Sequence, residues 1–548
     1  CNSMENARFT VDIDVDDVAL HEVYLPHFRR VVDAGVASVM AAYNSVNGEW
    51  CGQHRELLTD VLRDEWSFDG FVISDWIFGL RDAATSLTAG LDVEMPYRMV
   101  RAQRLADALA RGDGSWDDVD RAVERVVATL LRFDDVLSTP NPSRDVLGSP
   151  ARRQLAREVA ARSVVLLRNE DVAGVPVLPL SPDHRVAVVG RLADTVNLGD
   201  GGSSDVWDLE CVTVLGGVRA GPLDVVADDG SDPGRASAVA ASADVALVVV
   251  GYTYVDEGEY IGSTDPSLPA ALVPPADEDD VIGRFEARVA DLPPTEKPAR
   301  LEDRGGGFST GGDRASLRLS SADVDLIRAV AAANPRTVVV IQAGSAVVTT
   351  EWIGTVPAVV QAWYGGCQAG PGLVDVLRGD VNPSARLPFS VPVDEADLPA
   401  FDLDAVRFRY DRWHGWWHLA RNDTAPAFPF GFGLSYTTFA LADIDVATDG
   451  ESVSVRGVVR NTGSRNGVDV VQVYVDLPDP DAPSRLVGFI RVPVTAGGAA
   501  PFSLSVPIDR LATRDPVNRA WRAPAGRHRV IVARYAGDPD AEGVEVDL

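Results

Sequence analysis

Three kinds of hydrophobic pattern follow one another along the chain. In residues 1–138, short uninterrupted apolar runs predict strands that are covered on both faces, at 36–43, 71–73 and 91–95. Amphipathic segments between and after these runs predict helices, at 57–66, 80–89, 101–110 and 117–132. Repeated strand–helix units of this length are typical of parallel α/β sheets and barrels. Because a (β/α)8 barrel has eight strands in about 250 residues, this part of the chain predicts only the last strands of a barrel.

A second α/β pattern fills residues 156–400, after a Pro- and Ser-rich linker at 139–155. Apolar runs predict parallel strands at 186–189, 245–250, 338–341 and 358–361. Helices are predicted at 153–161, 322–333 and 372–377. Residues 262–315 are rich in Pro, Gly and charge and show no periodicity. A segment of that length without regular structure predicts a flexible insertion or a flap over an active site.

The third pattern alternates apolar and polar residues with a period of two, in residues 433–548. These runs, separated by turn clusters, predict an antiparallel β-sandwich with a structural role, with strands at 452–460, 471–475, 486–494, 502–506 and 530–535. An aromatic-rich connector, residues 401–432, precedes the sandwich. Its residues 412–418 could stack on a sugar, but packing between domains is the favoured interpretation. The predicted fold class is α/β plus all-β.

Composition and charge exclude several classes of protein. The 548 residues are 46% hydrophobic without a continuous apolar stretch of membrane-spanning length. The formal net charge of −31 leaves no basic footprint for nucleic acid or anionic lipid. Four cysteines form neither a disulfide framework nor a CxxC metal motif. We predict no nucleic-acid and no membrane partner; an oligomer is possible but not indicated.

Other motifs add little. The glycine-rich residues 199–204 lack the lysine of a phosphate-binding loop, which favours a flexible turn. The sequence has no GxSxG serine-hydrolase motif. It also has no dinucleotide fingerprint and no metal-ligand cluster, so we predict an enzyme without a cofactor. No signal peptide is visible, and both a cytoplasmic and a secreted location stay open.

Polar residues follow the three predicted strands of the first region, where the active site of a parallel barrel lies. They are Tyr43-Asn44, Asp75-Trp76 and Glu94-Met95. Asp75 ends an apolar strand and stands beside an aromatic ring that could stack on a sugar. The alternative is that Asp75 caps the helix that follows, since Asp is a favoured N-cap residue.

Two glutamates, Glu257 and Glu259, follow the predicted strand 245–250 of the second region. Doubly wound sheets bind ligands at such positions. The alternative is a solvated acidic loop. Carboxylates could also hold a divalent cation, but the loop has no EF-hand spacing, and we predict no metal site.

These segments together make the sequence recognisable. The matching motifs are NSMENARF (2–9), SVMAAYNSVNG (38–48), GFVISDW (70–76), AGLDVEMP (89–96), SVVLLRNE (163–170), GDRASLRL (312–319), ANPRTVVVIQAGSAV (333–347), VLRGDVNPSARLPFSVP (376–392) and FPFGFGLSYTTF (428–439). In this ordered series the chain resembles glycoside hydrolase family 3 of the β-glucosidase type. The resemblance implies a (β/α)8 barrel, an α/β sandwich and a C-terminal fibronectin-III-like domain.

The resemblance also implies roles for individual residues. Asp75 matches the catalytic nucleophile, and Trp76 matches the neighbouring wall of the sugar site. Tyr43 matches a tyrosine that lies against the nucleophile, and Arg8 matches an arginine near the glycone subsite. For the acid/base, Glu257 fits the family's Glu-Gly pair and is preferred, with Glu259 as the alternate.

The implied function is retaining, exo-acting hydrolysis of terminal non-reducing β-D-glucosyl or β-xylosyl residues, with a small or oligomeric β-glycoside as substrate. Family members carry a Lys-His-Phe motif and further barrel strands before the segment that begins here at Cys1. We therefore expect a fragment that needs its N-terminal half for activity. The alternative is a non-catalytic, glycan-binding or structural remnant of such an enzyme.

Overall fold

A small parallel sheet carries the strand that ends at Asp75. In the computed structural model, the strand Ser38–Met40 pairs in parallel with Phe71–Ile73, and Ile73 forms a parallel bridge with Val93. The structure describes residues 1–97, 99–199, 201–204, 206, 210–260 and 311–548. All three predicted strand positions therefore lie side by side in chain order. A sheet of this size does not test the partial-barrel prediction, which stays a prediction.

Helices pack around this sheet, and four of them lie close to the positions predicted at 57–66, 80–89, 101–110 and 117–132. Their bounds are Asp17–Ala19, Leu20–Tyr24, Pro26–Asp33, Glu56–Glu65, Ala83–Ala89, Val100–Arg111, Trp116–Arg132 and Asp134–Leu137. Glu94 accepts the Val100 N–H at 2.7 Å and the Arg101 N–H at 3.1 Å, so it caps one of these helices. This strand-end residue therefore has a structural role.

Asp92 fastens the sheet to two of these helices. Its side chain is only 1% exposed and forms ion pairs with Arg63 at 2.7 Å and Arg125 at 2.9 Å. It also accepts the Val72 N–H at 2.8 Å. A buried carboxylate needs such partners because its desolvation is costly. The strand that presents Asp75 is held in place through this network.

The aromatic-rich connector returns to the first region. Its strand Arg407–Arg409 pairs in parallel with Asp12–Asp14, which pairs with Ser45–Val46, and a hairpin continues to Glu49–Trp50. The connector also forms the helix Gly415–Arg421. The strand Asp12–Asp14 thus lies between Ser45–Val46 and a strand almost 400 positions later in the chain, as in the Asp12–Arg407 pair.

The second region is a three-layer α/β unit. Its six-stranded sheet has the order Asp224–Asp228, Arg185–Val189, Val245–Gly251, Thr337–Gln342, Ala358–Gln361 and Val165–Asn169. All neighbours are parallel except the last pair. A short hairpin, Asp171–Val172 with Val175–Pro176, follows the antiparallel strand.

Helices cover both faces of this sheet. Pro150–Ser163, Val214–Arg219 and Ala369–Leu377 contribute to one apolar core, and Pro233–Ala241 and Ser321–Ala333 contribute to the other. The central strand is buried at every residue, with Leu247 in one core and Val248 in the other. Its continuous apolar run is what a doubly covered strand requires. Of the predicted insertion, residues 262–310 lie outside the described residues.

The C-terminal region is an antiparallel β-sandwich, as the period-two pattern predicts. One sheet contains Phe439–Thr448, Ser452–Asn461 and Ala499–Pro507; the other contains Arg485–Val494, Gly467–Asp476, Arg527–Ala533 and Glu542–Asp547. Val455 from one sheet and Val473 from the other are both buried in its core. The fold class is therefore α/β plus all-β. None of the helices in the described ranges has the length and hydropathy of a membrane span.

Candidate active site

Asp75 lies at the carboxyl end of the central strand of the first sheet and is half-buried. Its Oδ1 accepts the Trp76 N–H at 2.7 Å. The next helix, Ala83–Ala89, is capped instead by Asp82, which accepts the Ala84 and Thr85 N–H groups. The interpretation of Asp75 as a helix cap is therefore wrong, because another aspartate satisfies those donors.

Tyr43 lies against Asp75. Its hydroxyl is 2.9 Å from the carbonyl oxygen of Trp76 and also interacts with the Asp75 carboxylate. Its ring packs against Phe9, with centroids 4.7 Å apart. Burial raises the pKa of the Tyr43 hydroxyl, which keeps it a donor. The indole of Trp76 is 44% exposed, at the surface beside Asp75.

Burial and charge act on Asp75 in opposite directions. Burial, the largest influence, raises the pKa of the Asp75 carboxyl above its usual range. The Tyr43 hydroxyl, the Trp76 N–H and the Arg8 guanidinium oppose that rise, whereas the charge of Glu259 adds to it. The pKa of Asp75 stays raised on balance. The charge of the Glu259 carboxylate is therefore felt at the Asp75 carboxylate.

Arg8 links the first region to the loop that carries Glu259. Its guanidinium is 3.0 Å from the Glu5 carboxylate and 3.4 Å from that of Glu259, and it donates to the Tyr260 carbonyl at 2.8 Å. The guanidinium also lies over the Tyr43 ring, 5.2 Å from its centroid. This buried cation pairs with Glu259, and its charge also acts on Asp75.

Glu259 is enclosed on its other side by the glycine-rich turn. The Ser203 N–H donates to its Oε2. A Cβ at Gly202 would lie 2.2 Å from the same oxygen, so a residue without a side chain is needed there. The segment predicted as a flexible turn thus contacts the candidate carboxylate directly.

Glu257 points to a different set of partners. Its Oε2 is 3.0 Å from Nε of Arg314, and its Oε1 accepts the Gly344 N–H at 2.6 Å and the Tyr364 hydroxyl. The Arg314 guanidinium lies over the Tyr252 ring, 4.1 Å from its centroid. The side chain of Glu257 is only 11% exposed. Both of its carboxylate oxygens are occupied within the α/β unit.

A pair of reciprocal hydrogen bonds joins the two regions beside the site. The Asn6 N–H donates to Asp313 Oδ2 at 2.9 Å, and the Asp313 N–H donates to Asn6 Oδ1 at 2.9 Å. A Cβ at Gly312 would lie 2.0 Å from Asn6 Oδ1. The Tyr260 N–H donates to Glu5 Oε1 at 2.9 Å. Loops of the α/β unit are therefore fixed onto the N-terminal segment.

The structure thus brings together Arg8, Tyr43, Asp75, Trp76 and Glu259, whereas Glu257 contacts other groups. Sequence reasoning missed the residues that hold the two glutamates and the loops around them. Of these, Glu5 and Asn6 lie in the motif at 2–9, and Asp313 and Arg314 lie in that at 312–319, so the motifs pointed to the right segments. No motif in the sequence pointed to Tyr364 as a partner of Glu257. Within the described residues, no group of His, Cys, Asp and Glu side chains is arranged to hold a metal ion.

Comparisons with known proteins agree with this architecture. Family models match residues 3–129 as "Glycosyl hydrolase family 3 N terminal domain", 164–436 as "Glycosyl hydrolase family 3 C-terminal domain" and 469–536 as "Fibronectin type III-like domain". A β-glucosidase of Rhizobium radiobacter is 31% identical over 664 residues, covering 98% of this chain and 80% of that protein.

Two further relatives extend the comparison. An exo-α-(1→6)-L-arabinopyranosidase of Bifidobacterium longum is 30% identical over 564 residues, covering 100% of this chain and 68% of that protein. The crystal structure of the GH3 β-glucosidase of Bifidobacterium adolescentis superposes with a TM-score of 0.84 at 28% identity, covering 100% of this chain and 75% of that one. The protein is therefore a glycosidase. It belongs to glycoside hydrolase family 3.

Proposed function

We propose that the protein is a retaining, exo-acting β-glycosidase that removes terminal non-reducing β-D-glucosyl residues, with β-xylosyl residues as the alternative. The observation that carries the proposal is that Arg8 forms an ion pair with Glu259 at 3.4 Å and packs on Tyr43, while the charges of Arg8 and Glu259 both act on Asp75 in another region of the chain. The glucosyl preference follows the names of the relatives, most of which are β-glucosidases. Because one relative is named an arabinopyranosidase, the sugar preference has to be measured with several glycosides.

In this proposal Asp75 is the nucleophile. Its ionised carboxylate attacks the anomeric carbon and forms a covalent glycosyl ester, while a protonated carboxylic acid gives its proton to the leaving oxygen. The acid then becomes the base that takes a proton from the attacking water, and the ester is hydrolysed with net retention. A retaining enzyme needs the two carboxyl groups about 5–5.5 Å apart. Arg8 and Tyr43 support the role of Asp75, because both favour its ionised form.

We assign the acid/base role to Glu259 rather than to the preferred candidate Glu257. An acid/base must exchange a proton with the substrate and with water in turn. All the partners of the Glu257 carboxylate named above, Arg314, the Gly344 N–H and the Tyr364 hydroxyl, belong to the α/β unit. Glu259 instead contacts Arg8 and acts on Asp75. Trp76, exposed beside the nucleophile, is assigned to the wall against which the sugar packs.

The test is covalent trapping. A 2-deoxy-2-fluoro-β-glucoside with an activated leaving group slows hydrolysis of the ester, so the labelled peptide identifies the nucleophile by mass. We expect one added fluoroglucosyl group on the peptide that contains Asp75, and none on Asp75→Asn. Asp69→Asn, which removes an exposed carboxylate nearby in the sequence, is the matched control.

Two results would contradict the proposal. The first is a label on another residue. The second is a well-folded protein that takes up no label and hydrolyses no aryl β-glycoside, which would favour the non-catalytic, glycan-binding alternative.

A further inference from the structure

A cavity of about 490 Å³ lies where three parts of the chain meet, away from the candidate active site. Its lining comes from the helix Pro26–Asp33, from the connector and from the β-sandwich. It shares no residue with the set formed by Arg8, Tyr43, Asp75, Trp76 and Glu259. Its volume is within the range of about 300–1,000 Å³ that small-molecule sites occupy.

Aromatic rings form much of the cavity wall. The contributing residues are Trp66, Trp416, Trp417, Phe430 and Trp521. They include four of the 11 tryptophans of the chain, drawn from segments far apart in sequence. An aromatic face packs well against the C–H groups of a sugar ring, while polar groups around it serve the hydroxyls.

These rings are held in fixed positions. Trp416 stacks on Phe430 with centroids 5.5 Å apart and an interplanar angle of 15°. The indole N–H of Trp417 donates to the Ser484 carbonyl at 2.6 Å, and that of Trp521 donates to Glu65 at 2.9 Å. A wall that is ordered before the ligand arrives lowers the entropic cost of binding.

The charged residues of the lining are mixed in sign, in a chain whose net charge is −31. Arg29, Arg30 and Arg510 lie with Asp33 and Asp509 at the cavity. A further lining pair, Glu22 and Arg485, is joined by a hydrogen bond of 2.6 Å. Such a lining favours neither an anion nor a cation strongly. It offers both donors and acceptors, which suits a neutral ligand with many hydroxyl groups.

We propose that this cavity is a second carbohydrate site, which binds a neutral oligosaccharide. Sugar rings pack on the tryptophan faces, and the guanidinium and carboxylate groups bind their hydroxyls. Trp521, 38% exposed, is the ring most open to a ligand. Arg30 is exposed and forms no ion pair within the described residues, so its donors are available. The proposal stands on the cavity and does not require Asp75 to be the nucleophile.

The test uses cellotetraose as the probe and the full chain with Asp75→Asn, so that the sugar is not consumed. Isothermal titration should detect a binding event that weakens at least about tenfold in Trp521→Ala, the loss of one aromatic contact. Trp521→Phe should restore most of that affinity, and Arg30→Ala, on the helix surface, should weaken binding without loss of folding. Trp116→Ala removes a tryptophan that is 69% exposed outside the cavity and is the matched control.

Two readings decide the outcome. If Trp521→Ala and Arg30→Ala, both folded, bind cellotetraose with the affinity and stoichiometry of Trp116→Ala, the cavity is not a carbohydrate site. With Asp75 intact, we expect Trp521→Ala to hydrolyse a small aryl β-glucoside at the parent rate, because the cavity is separate from the candidate active site. Failure of trapping at Asp75 would leave the effect of Trp521→Ala on binding unchanged, so the two proposals fail separately.

Discussion

Replacing each of the two neighbouring glutamates by glutamine separates a structural role from a catalytic one. Glu257→Gln keeps the shape of the side chain but removes the charge that faces Arg314, 3.0 Å away. The two side chains are 11% and 7% exposed, so the arginine would be left as a buried, uncompensated cation. Removal of one partner of a buried pair costs about 3–5 kcal/mol. Because the amide oxygen can still accept from Gly344 and Tyr364, we expect the lower end of that range.

The thermal consequence can be estimated from that free energy. A domain of 150–250 residues loses about 2–4 °C in Tm for each kcal/mol. The melting transition of the α/β unit should therefore fall by about 6–12 °C in Glu257→Gln. Asp256→Asn, at an exposed neighbouring carboxylate, is the matched control and should shift Tm by much less.

Glu259→Gln should leave the thermal stability nearly unchanged and lower the activity. Arg8 keeps its ion pair with Glu5 at 3.0 Å and its hydrogen bond to Tyr260, so the melting temperature should change little. Loss of a general acid lowers the rate by about 10²- to 10⁴-fold. The loss should be largest for glucosides with poor leaving groups, because these depend on protonation. Added azide should restore turnover of an activated glucoside as the β-glycosyl azide.

The assays are differential scanning calorimetry and steady-state kinetics on a series of aryl glucosides. The assignment is wrong if Glu257→Gln melts with the parent and shows azide-dependent turnover while Glu259→Gln remains active. It is also wrong if neither variant shows azide rescue although both are folded.

Three further predictions concern the surroundings of the nucleophile. Tyr43→Phe removes a hydrogen bond that holds down the pKa of Asp75, so that pKa should rise and the acid limb of the kcat/KM profile should move to higher pH. Gly202→Ala should lower kcat/KM by about 10- to 100-fold, because the new methyl group must displace the Glu259 side chain. Asp92→Asn should destabilise the first region by about 3–5 kcal/mol in urea unfolding, since two arginines lose the charge of their shared partner.

Each of these variants has a matched control substitution. Phe78→Leu changes a ring that packs against Phe9 and is not among the groups that act on the pKa of Asp75, so it should leave the acid limb in place. Gly354→Ala, where a Cβ meets no atom within 4 Å, should keep full activity. Asp69→Asn should unfold with the parent, because its carboxylate is largely exposed and such pairs contribute little. An unmoved acid limb in Tyr43→Phe, unchanged kinetics in Gly202→Ala or unchanged unfolding in Asp92→Asn would contradict the corresponding reasoning.

Most of the regular structure could be predicted from local pattern. The four apolar runs of the second region all form parallel strands, because a strand covered on both faces cannot be anything but continuously apolar. Two strands of that sheet escaped prediction. Val165–Asn169 begins two residues after the end of a helix, with no turn residue between them to mark a new element. Asp224–Asp228 is a half-buried edge strand bounded by acidic residues. Edge strands lack the full apolar pattern because only part of their surface is covered.

The candidate site was predicted in part. Asp75, Tyr43, Trp76 and Arg8 were named from motifs and strand ends, and the structure places them together. The preference between Glu257 and Glu259 could not be settled in the same way, because both stand in one short acidic loop. Their difference lies in partners such as Arg314, more than 50 positions away in the chain.

The order of strands and helices, the period-two sandwich and the strand-end position of Asp75 were determined by the sequence itself, because hydrophobic periodicity and family motifs are local properties of the chain. Only the tertiary structure decided that Glu259 pairs with the Arg8 whose charge acts on Asp75, and that Gly202 leaves the space which the Glu259 carboxylate occupies. It also decided where tryptophans from remote segments meet. These depend on the electric field and the steric contacts of groups that are distant in sequence. Such contacts exist only once the chain has folded.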